Sequence, residues 1–213
     1  MTIACQQICV DIETLGNHPE RGVMLSIGAV AFRLDGPVEL LDASLPEYVR
    51  TATQYYSIIR LKEQLETYKW EIEAETLGWW LATPERAKLL TGKLQSSAAE
   101  VIDVVFNELG EWVKAVEGPT KSTPTLELWS HGVTFDCMHL SQKWPQVMKE
   151  RFTNVVPFRQ MRDTRTLFAL YQDRYGELPP RVDISVSHHA LADAWRTAIQ
   201  IHTAWNALKG SQL

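Results

Sequence analysis

Cys9-Val10-Asp11-Ile12-Glu13-Thr14-Leu15-Gly16 sets two carboxylates two positions apart in an apolar run near the start of the 213-residue chain. Successive side chains on a strand point to opposite faces, so Asp11 and Glu13 share one face if this run is a strand. Two like charges held side by side repel unless a cation lies between them. The pair decides nothing alone, because 26 of the 213 residues are acids. Glu71/Glu73 and Glu73/Glu75 repeat the spacing in a stretch that reads as a solvated turn. The pair gains meaning from what the rest of the chain brings to it.

The strand reading covers Gln7 to Ile12 and is followed by turn formers from Gly16 to Gly22 and a second run, Val23 to Arg33, so a hairpin is expected. Leu40 to Leu45 and Tyr55 to Arg60 are weaker strand candidates, and Leu61 to Glu75 is too mixed to assign. Thr76 to Leu81 reads as a short helical turn, and Pro84 opens a second helix with Ala87, Leu90 and Leu94 on one side. Apolar residues at 101, 102, 105, 109, 112, 113 and 116 give Ser97 to Val116 the period of one helix face, closed by Gly118-Pro119. Leu126 to Trp129 is a short core strand. A helical region then runs from Val133 toward Arg151, with an interruption expected at Trp144-Pro145, followed by a strand at Val155 to Phe158. Asp163 is a good N-cap for a helix through Leu167, Phe168 and Tyr171. Pro179-Pro180 marks a loop, and Ser187 opens the last helix. Strands followed by alternating helices and strands predict an α/β layer around a mixed sheet, and residues 1–213 fit one domain.

Composition narrows the function. Hydrophobic residues make up 45% and charged residues 22%, ordinary for a soluble globule. The longest apolar stretch, Val23 to Phe32, is too short to span a bilayer, so no membrane role is expected. No leader is apparent, which points to the cytoplasm. Cys5, Cys9 and Cys137 lack zinc-finger or CxxC spacing and read as reduced, mostly buried thiols. A formal net charge of −5 argues against a protein that coats nucleic acid through a broad basic surface. It leaves an enzyme open, because acids gathered at a metal site count against net charge. From Lys143 to Arg181 eight basic residues face four acids, a local basic patch that reads equally as a few solvated helix faces or as a phosphate track.

Two later stretches complete the pair. Ser130-His131-Gly132-Val133-Thr134-Phe135-Asp136 puts Asp136 in the first turns of a helix after a strand. Ser187-His188-His189-Ala190-Leu191-Ala192-Asp193 puts His188 five residues ahead of Asp193 at the head of the last helix, where the two can converge. Four carboxylates and a histidine meet the needs of two-metal hydrolysis. Hard divalent ions take oxygen ligands, and a pair of them stabilises the entering and leaving oxygens of a displacement at phosphorus. An imidazole has the pKa to remove a proton from water at neutral pH.

The segments Val10 to Gly16, Ser130 to Asp136 and His188 to Ala194 resemble the three motifs of the DnaQ-like (DEDDh) 3′–5′ exonucleases of the ribonuclease H-like superfamily. His188-Ala190-Asp193 fits the H-x-A-x-x-D pattern and favours His188 over His189 as base. Met24 to Val30, Thr76 to Trp80 and Arg162 to Leu167 are similar to the group that contains phage exonuclease A and the bacterial exoribonuclease RNase AS, whereas residues from about Leu34 to Lys69 match poorly. The resemblance implies a ribonuclease H-like mixed sheet flanked by helices. It further implies that Asp11, Glu13, Asp136 and Asp193 hold two Mg²⁺ ions, for which Mn²⁺ can substitute, and that His188 deprotonates the attacking water. Thr14 and Leu15 would lie against the terminal nucleotide, with their backbone amides near its 3′ end. The partner is then the 3′ end of a single strand, RNA slightly favoured over DNA, cut to nucleoside 5′-monophosphates. His131 stands where relatives often carry Asn and reads as a loop-facing partner. Trp79 is a candidate for stacking a base, and Arg162 and Arg165 for gripping phosphate, with pairing to a nearby acid the favoured alternative for Arg165. Rival readings are a non-catalytic or proofreading-type adaptor subunit on the same fold and a nucleotidase using the same ions. The oligomeric state is open, a homodimer being one outcome.

Overall fold

The computed structural model describes residues 7–41, 45, 47–118, 126–183 and 186–210. Its centre is the hairpin of β1 (Gln7–Thr14) and β2 (Met24–Phe32), in antiparallel register with Asp11 opposite Gly28 and Glu13 opposite Ser26. The other strands are β3 (Tyr48–Arg50), β4 (Gln54–Ile58), β5 (Glu127–Ser130) and β6 (Met161–Asp163). They complete a six-stranded mixed sheet in the order β3-β4-β2-β1-β5-β6, with β5 parallel to β1 and β6 parallel to β5. The mixed sheet and single domain agree with the sequence reading. No helix among the described residues is long and apolar enough to cross a membrane.

Strand alternation sorts β1 between two cores. Ile8, Val10 and Ile12 pack with the helices α4 (Ile102–Glu117) and α5 (Asp136–Met148). Cys9 packs with α6 (Thr164–Tyr175) and α7 (Ala190–Gly210) on the opposite face. Asp11 and Glu13 continue the face of Cys9 and are directed toward α7. That helix lies so close to β2 that a Cβ on Gly28 would come within 2.2 Å of the Ala190 carbonyl carbon and the Leu191 nitrogen. Both are backbone atoms, so they yield only if the helix moves. Gly28→Ala is therefore expected to destabilise the protein by about 1–3 kcal/mol or more, the usual range for overpacking, and to displace the start of α7. Denaturant unfolding of the two proteins measures this.

Several elements depart from the sequence reading. The unassigned stretch after Arg60 forms α1 (Leu61–Glu66) and begins α2 (Ala74–Leu81). Helix α1 is fixed by Gln64, whose fully buried amide accepts from the Met24 nitrogen at 2.8 Å and donates to the Met24 carbonyl at 2.8 Å. Such a contact spans the fold and leaves no local periodicity. Helix α3 (Pro84–Gln95) begins at Pro84 as expected, with the Thr83 hydroxyl as N-cap. Helix α5 continues through Pro145 without interruption. Proline there removes one helical N–H, and the neighbouring Trp144 is clamped between Phe106 and Phe152 at ring separations of 4.9 and 5.2 Å. No strand forms at Val155 to Phe158. Pro157 cannot donate to a ladder, Val155 and Val156 are buried as plugs, and the strand lies beyond at β6, after the 3-10 turns Phe152–Asn154 and Phe158–Gln160. Leu40 and Leu41 are not in a strand, and residues 42–44 of that candidate lie outside the described residues. Cys9 and Cys137 are free and buried as expected, whereas Cys5 lies outside the described residues.

Candidate active site

β1 and β5 pair only as far as Cys9 and Trp129, then separate toward their carboxyl ends. The crevice outside the carboxyl ends of parallel strands is where α/β folds place ligands. Beyond Cys9 the β1 backbone meets a side chain in place of β5: the Ile12 nitrogen donates to Asp136 Oδ1 at 3.2 Å. Asp136 is the first residue of α5 and is 4% exposed. Gly132 turns the chain between β5 and α5 at φ 141°, and its carbonyl accepts from Phe135 and Asp136.

His188 and Asp193 arrive from the head of α7. The helix begins at Ala190, three residues later than the sequence suggests, because His188 adopts a left-handed backbone at φ 63°. His189 then acts as cap: its nitrogen donates to Asp193 Oδ2 at 3.1 Å, and its carbonyl accepts from the Asp193 nitrogen at 2.9 Å. Asp193 is also paired with the buried Arg196, which donates to the Val186 carbonyl. Glu13, His188 and Asp193 thereby bring one donor atom each within 4.8 Å of one another. Trp79, 43% exposed, packs edge-on against the His188 ring at 4.8 Å and carries the Arg86 guanidinium 4.2 Å over its own ring. Trp80 is the core member of that pair, donating to the Thr14 carbonyl at 2.9 Å.

The carboxylates feel one another. Burial, then the charges of Asp136, Glu13 and Asp193, raise the pKa of Asp11 well above the carboxylate range. Burial pushes Glu13 up to about 8, with Asp193 and Asp136 adding and Lys93 opposing. Asp136 is pushed up by burial to about 7, against the pull of the Ile12 amide. Crowded oxygen donors whose ionised forms repel one another fit hard divalent ions, which favour those ionised forms. His188 is lowered below its usual value by burial, against the charge of Asp193.

Two cavities meet at Ile12 and Glu13. One, about 440 Å³, is lined by Asp11, His131, Arg181 and His188 among others. The other, about 310 Å³, is lined by Thr14, Asn17, Glu75, Thr76, Trp79 and Phe135. Thr14 and Trp79, both expected at a terminal nucleotide, line this smaller cavity. Leu15 does not: its side chain is 1% exposed in the core, and its amide donates to the Val23 carbonyl at 2.9 Å, because the register shift after Glu13 turns it inward. Arg162 stands on β6, paired with Glu127 at 2.6 Å and donating to the Arg159 carbonyl at 2.6 Å, and it lines neither cavity. His131 is a loop residue held by the Thr164 hydroxyl at 3.0 Å, and it lines the larger cavity.

Two residues at the site, Lys93 and Arg196, escaped the sequence reading, and Arg181 entered it only as the end of a basic patch. Lys93 is 5% exposed, and its ammonium donates to Ser26 Oγ at 3.1 Å and Tyr56 Oη at 2.9 Å, in the cross-strand rows of Glu13 and Asp11. Its signal was a lysine three residues after Leu90 on the buried stripe of α3. Because its charge opposes the rise of both Asp11 and Glu13, Lys93→Met is expected to lower stability in chelator by about 1–3 kcal/mol. Denaturant unfolding at pH 8, with and without divalent ions, tests this.

The fold and the acid cluster define a class, the ribonuclease H-like exonuclease fold, and solved structures share it. Zinc-bound E. coli exonuclease I in complex with single-stranded DNA matches with a TM-score of 0.63 at 11% identity, over 95% of this chain and 41% of that one. The same enzyme with a dT13 oligonucleotide matches with a TM-score of 0.58 at 13% identity, over 96% and 42%. Cell-death related nuclease 4 (CRN-4) matches with a TM-score of 0.56 at 12% identity, over 97% and 64%. The present chain spans about two fifths of the exonuclease I chains. The model of the Rv2179c-like 3′–5′ exoribonuclease domain matches residues 6–205, and the chain belongs to that family. No curated protein matched it.

Proposed function

We propose that this protein is a divalent-metal-dependent 3′–5′ exonuclease that removes nucleoside 5′-monophosphates one at a time from the 3′ end of a single strand. One observation carries the reading: Asp11, Glu13, Asp136, Asp193 and His188, up to 182 positions apart, are gathered at the separating ends of β1 and β5. The family description supports a ribonucleotide substrate, and the single-stranded DNA bound to exonuclease I supports an unpaired strand. The narrower likeness to phage exonuclease A and RNase AS rests on Met24 to Val30, Thr76 to Trp80 and Arg162 to Leu167.

Asp11, Glu13, Asp136 and Asp193 would hold two Mg²⁺ or Mn²⁺ ions, which when bound supply Lewis-acid stabilisation of the charge that develops at phosphorus. The chain's own residues do the rest. The smaller cavity seats the terminal nucleoside between Thr14 and Trp79. His188, kept neutral by its surroundings and backed by Trp79, accepts a proton from water as the water oxygen bonds to phosphorus. The phosphorus–O3′ bond breaks, the released oxygen takes a proton from solvent, and the shortened strand leaves with a free 3′-hydroxyl. Lys93 sits fixed beside Asp11 and Glu13, a counter-charge that holds the acids together between turnovers. An adaptor would derive nothing from this convergence of repelling carboxylates, so catalysis is the better reading.

The test is a panel of matched RNA and DNA oligomers, blocked at the 5′ or the 3′ end, with Mg²⁺ or with Mn²⁺. Release of mononucleotides only from a free 3′ end, and faster from RNA, is the expected result. Turnover of mononucleotides without shortening of oligomers would instead establish the nucleotidase.

A further inference from the structure

The two cavities differ in charge. The smaller carries two acids, the shared Glu13 and Glu75, and no basic residue in its lining. It repels phosphate and suits a nucleoside, so the phosphates of a bound strand must run through the larger one. There Arg181 lines the wall with Asp11, Glu13 and His188. It follows directly on Pro179-Pro180, whose fixed φ angles stiffen the approach to it. Its side chain is exposed, and among the described residues no carboxylate or carbonyl lies within ion-pairing or hydrogen-bonding reach.

A second guanidinium stands nearby. Arg165 occupies the first turn of α6, where its backbone nitrogen donates to Asp163 Oδ1 at 2.8 Å while its side chain forms no hydrogen bond or contact ion pair among the described residues. The guanidinium lies against the turn that carries Asp136, so that a Cβ on Gly132 would meet it at 3.2 Å. The open backbone of this glycine allows the close approach. His131 stands beside both arginines: after burial, their charges are what lower its pKa. Two cations thus lie near His131 and the acid cluster; the Arg165 charge draws the Asp136 pKa down, but among the described residues neither guanidinium closes on a carboxylate as an ion pair. A planar fork of donors left free next to a phosphodiester site is suited to phosphate.

We propose that Arg181, in the wall of the larger cavity, and Arg165, against the Gly132 turn next to His131, form a ledge that grips the phosphate immediately upstream of the scissile one, and so set the preference for strands over mononucleotide esters. This rests on the exonuclease reading. The phosphates of longer substrates engage the ledge, whereas an ester whose only phosphate is the scissile one does not reach it. Arg162, turned away toward Glu127, takes no part.

The experiment compares a pentanucleotide with thymidine 5′-(4-nitrophenyl) phosphate. Arg165→Ala and Arg181→Ala are each expected to raise KM for the pentanucleotide about 10- to 100-fold, the range for loss of a charged hydrogen bond. The shift for the ester should be smaller by at least about tenfold, and kcat should change little on either. The salt dependence of pentanucleotide KM should fall by about 0.7 in log–log slope per arginine removed. Arg181→Lys should recover part of the loss, and circular dichroism melting confirms that each variant folds. Equal shifts on both substrates, or none on either, would overturn the ledge while leaving the exonuclease reading standing. A folded wild-type protein inert on both substrates with Mg²⁺ and Mn²⁺ would overturn both.

Discussion

Asp136→Asn is expected to cost at least about 1000-fold in nuclease activity, some 4 kcal/mol of transition-state stabilisation, while making the metal-free protein more stable at pH 8. The two effects have one cause. Asp136 is buried among Asp11, Glu13 and Asp193, and its ionised form is disfavoured in the fold. The amide keeps the shape and still offers an oxygen to the Ile12 nitrogen, but removes the repulsion. A protein of this size gains about 2–4 °C in melting temperature for each kcal/mol. Most buried substitutions destabilise, so a rise in melting temperature coupled to loss of activity identifies a carboxylate kept for function. A variant that melts earlier in chelator yet still shortens oligomers would refute the assignment of Asp136.

Burial of these acids, with the repulsion around Glu13, sets a pH dependence. Glu13 moves from 4.5 to about 8 on folding and Asp136 from 3.8 to about 7. A raised carboxylate means that the folded state binds protons which the unfolded chain has released. Its contribution to stability is therefore fully present below the unfolded values of 3.8 and 4.5 and is lost as pH rises through the folded values, up to about 8. Divalent ions bind the ionised forms and should cancel that loss. Melting curves between pH 5 and 8.5, in chelator and in Mg²⁺, would show a falling metal-free curve and a flatter loaded one.

What could be read from the sequence followed the reach of each signal. Asp11 and Glu13 were legible because strand alternation is a local rule, and it placed them on one face together with Cys9. The hairpin, α4 and the Asp163 cap were legible for the same reason, since pattern and turn chemistry lie within a few residues of each other. Leu15 was misjudged because a register shift after Glu13 reverses which face it meets, and such a shift depends on the partner strand. Helix α1 rests on Gln64 reaching the backbone of β2, a contact that no pattern around Leu61 announces. Pro145 misled because a local breaker was outweighed by the burial of Trp144 next to it. Lys93 and Arg181 show the same limit at the site. A lysine on an apolar stripe and an arginine after two prolines are ordinary until the fold sets them against carboxylates.

His188→Asn is the sharper of the remaining substitutions, with an expected loss of about 100- to 10,000-fold in kcat, the contribution of a positioned general base. Asparagine is chosen over alanine because residue 188 sits at φ 63°, a left-handed conformation that Asn and His tolerate and Ala resists. Backbone strain would otherwise be mistaken for lost chemistry. The imidazole, lowered below 6.5 by burial, is unprotonated at neutral pH and able to accept a proton. Activity should therefore fall as pH falls through a value below 6.5, and that acid limb should disappear from the residual rate of the variant. Glu13, Asp11, Asp136 and Asp193 are untouched, so calorimetry should find divalent-ion binding within a few-fold of wild type. Loss of ion binding in step with activity would make His188 a ligand, consistent with its donor atom lying within 4.8 Å of those of Glu13 and Asp193, and the proton would then have to leave by another group. Retained ion binding with a vanished acid limb places proton removal on His188 itself.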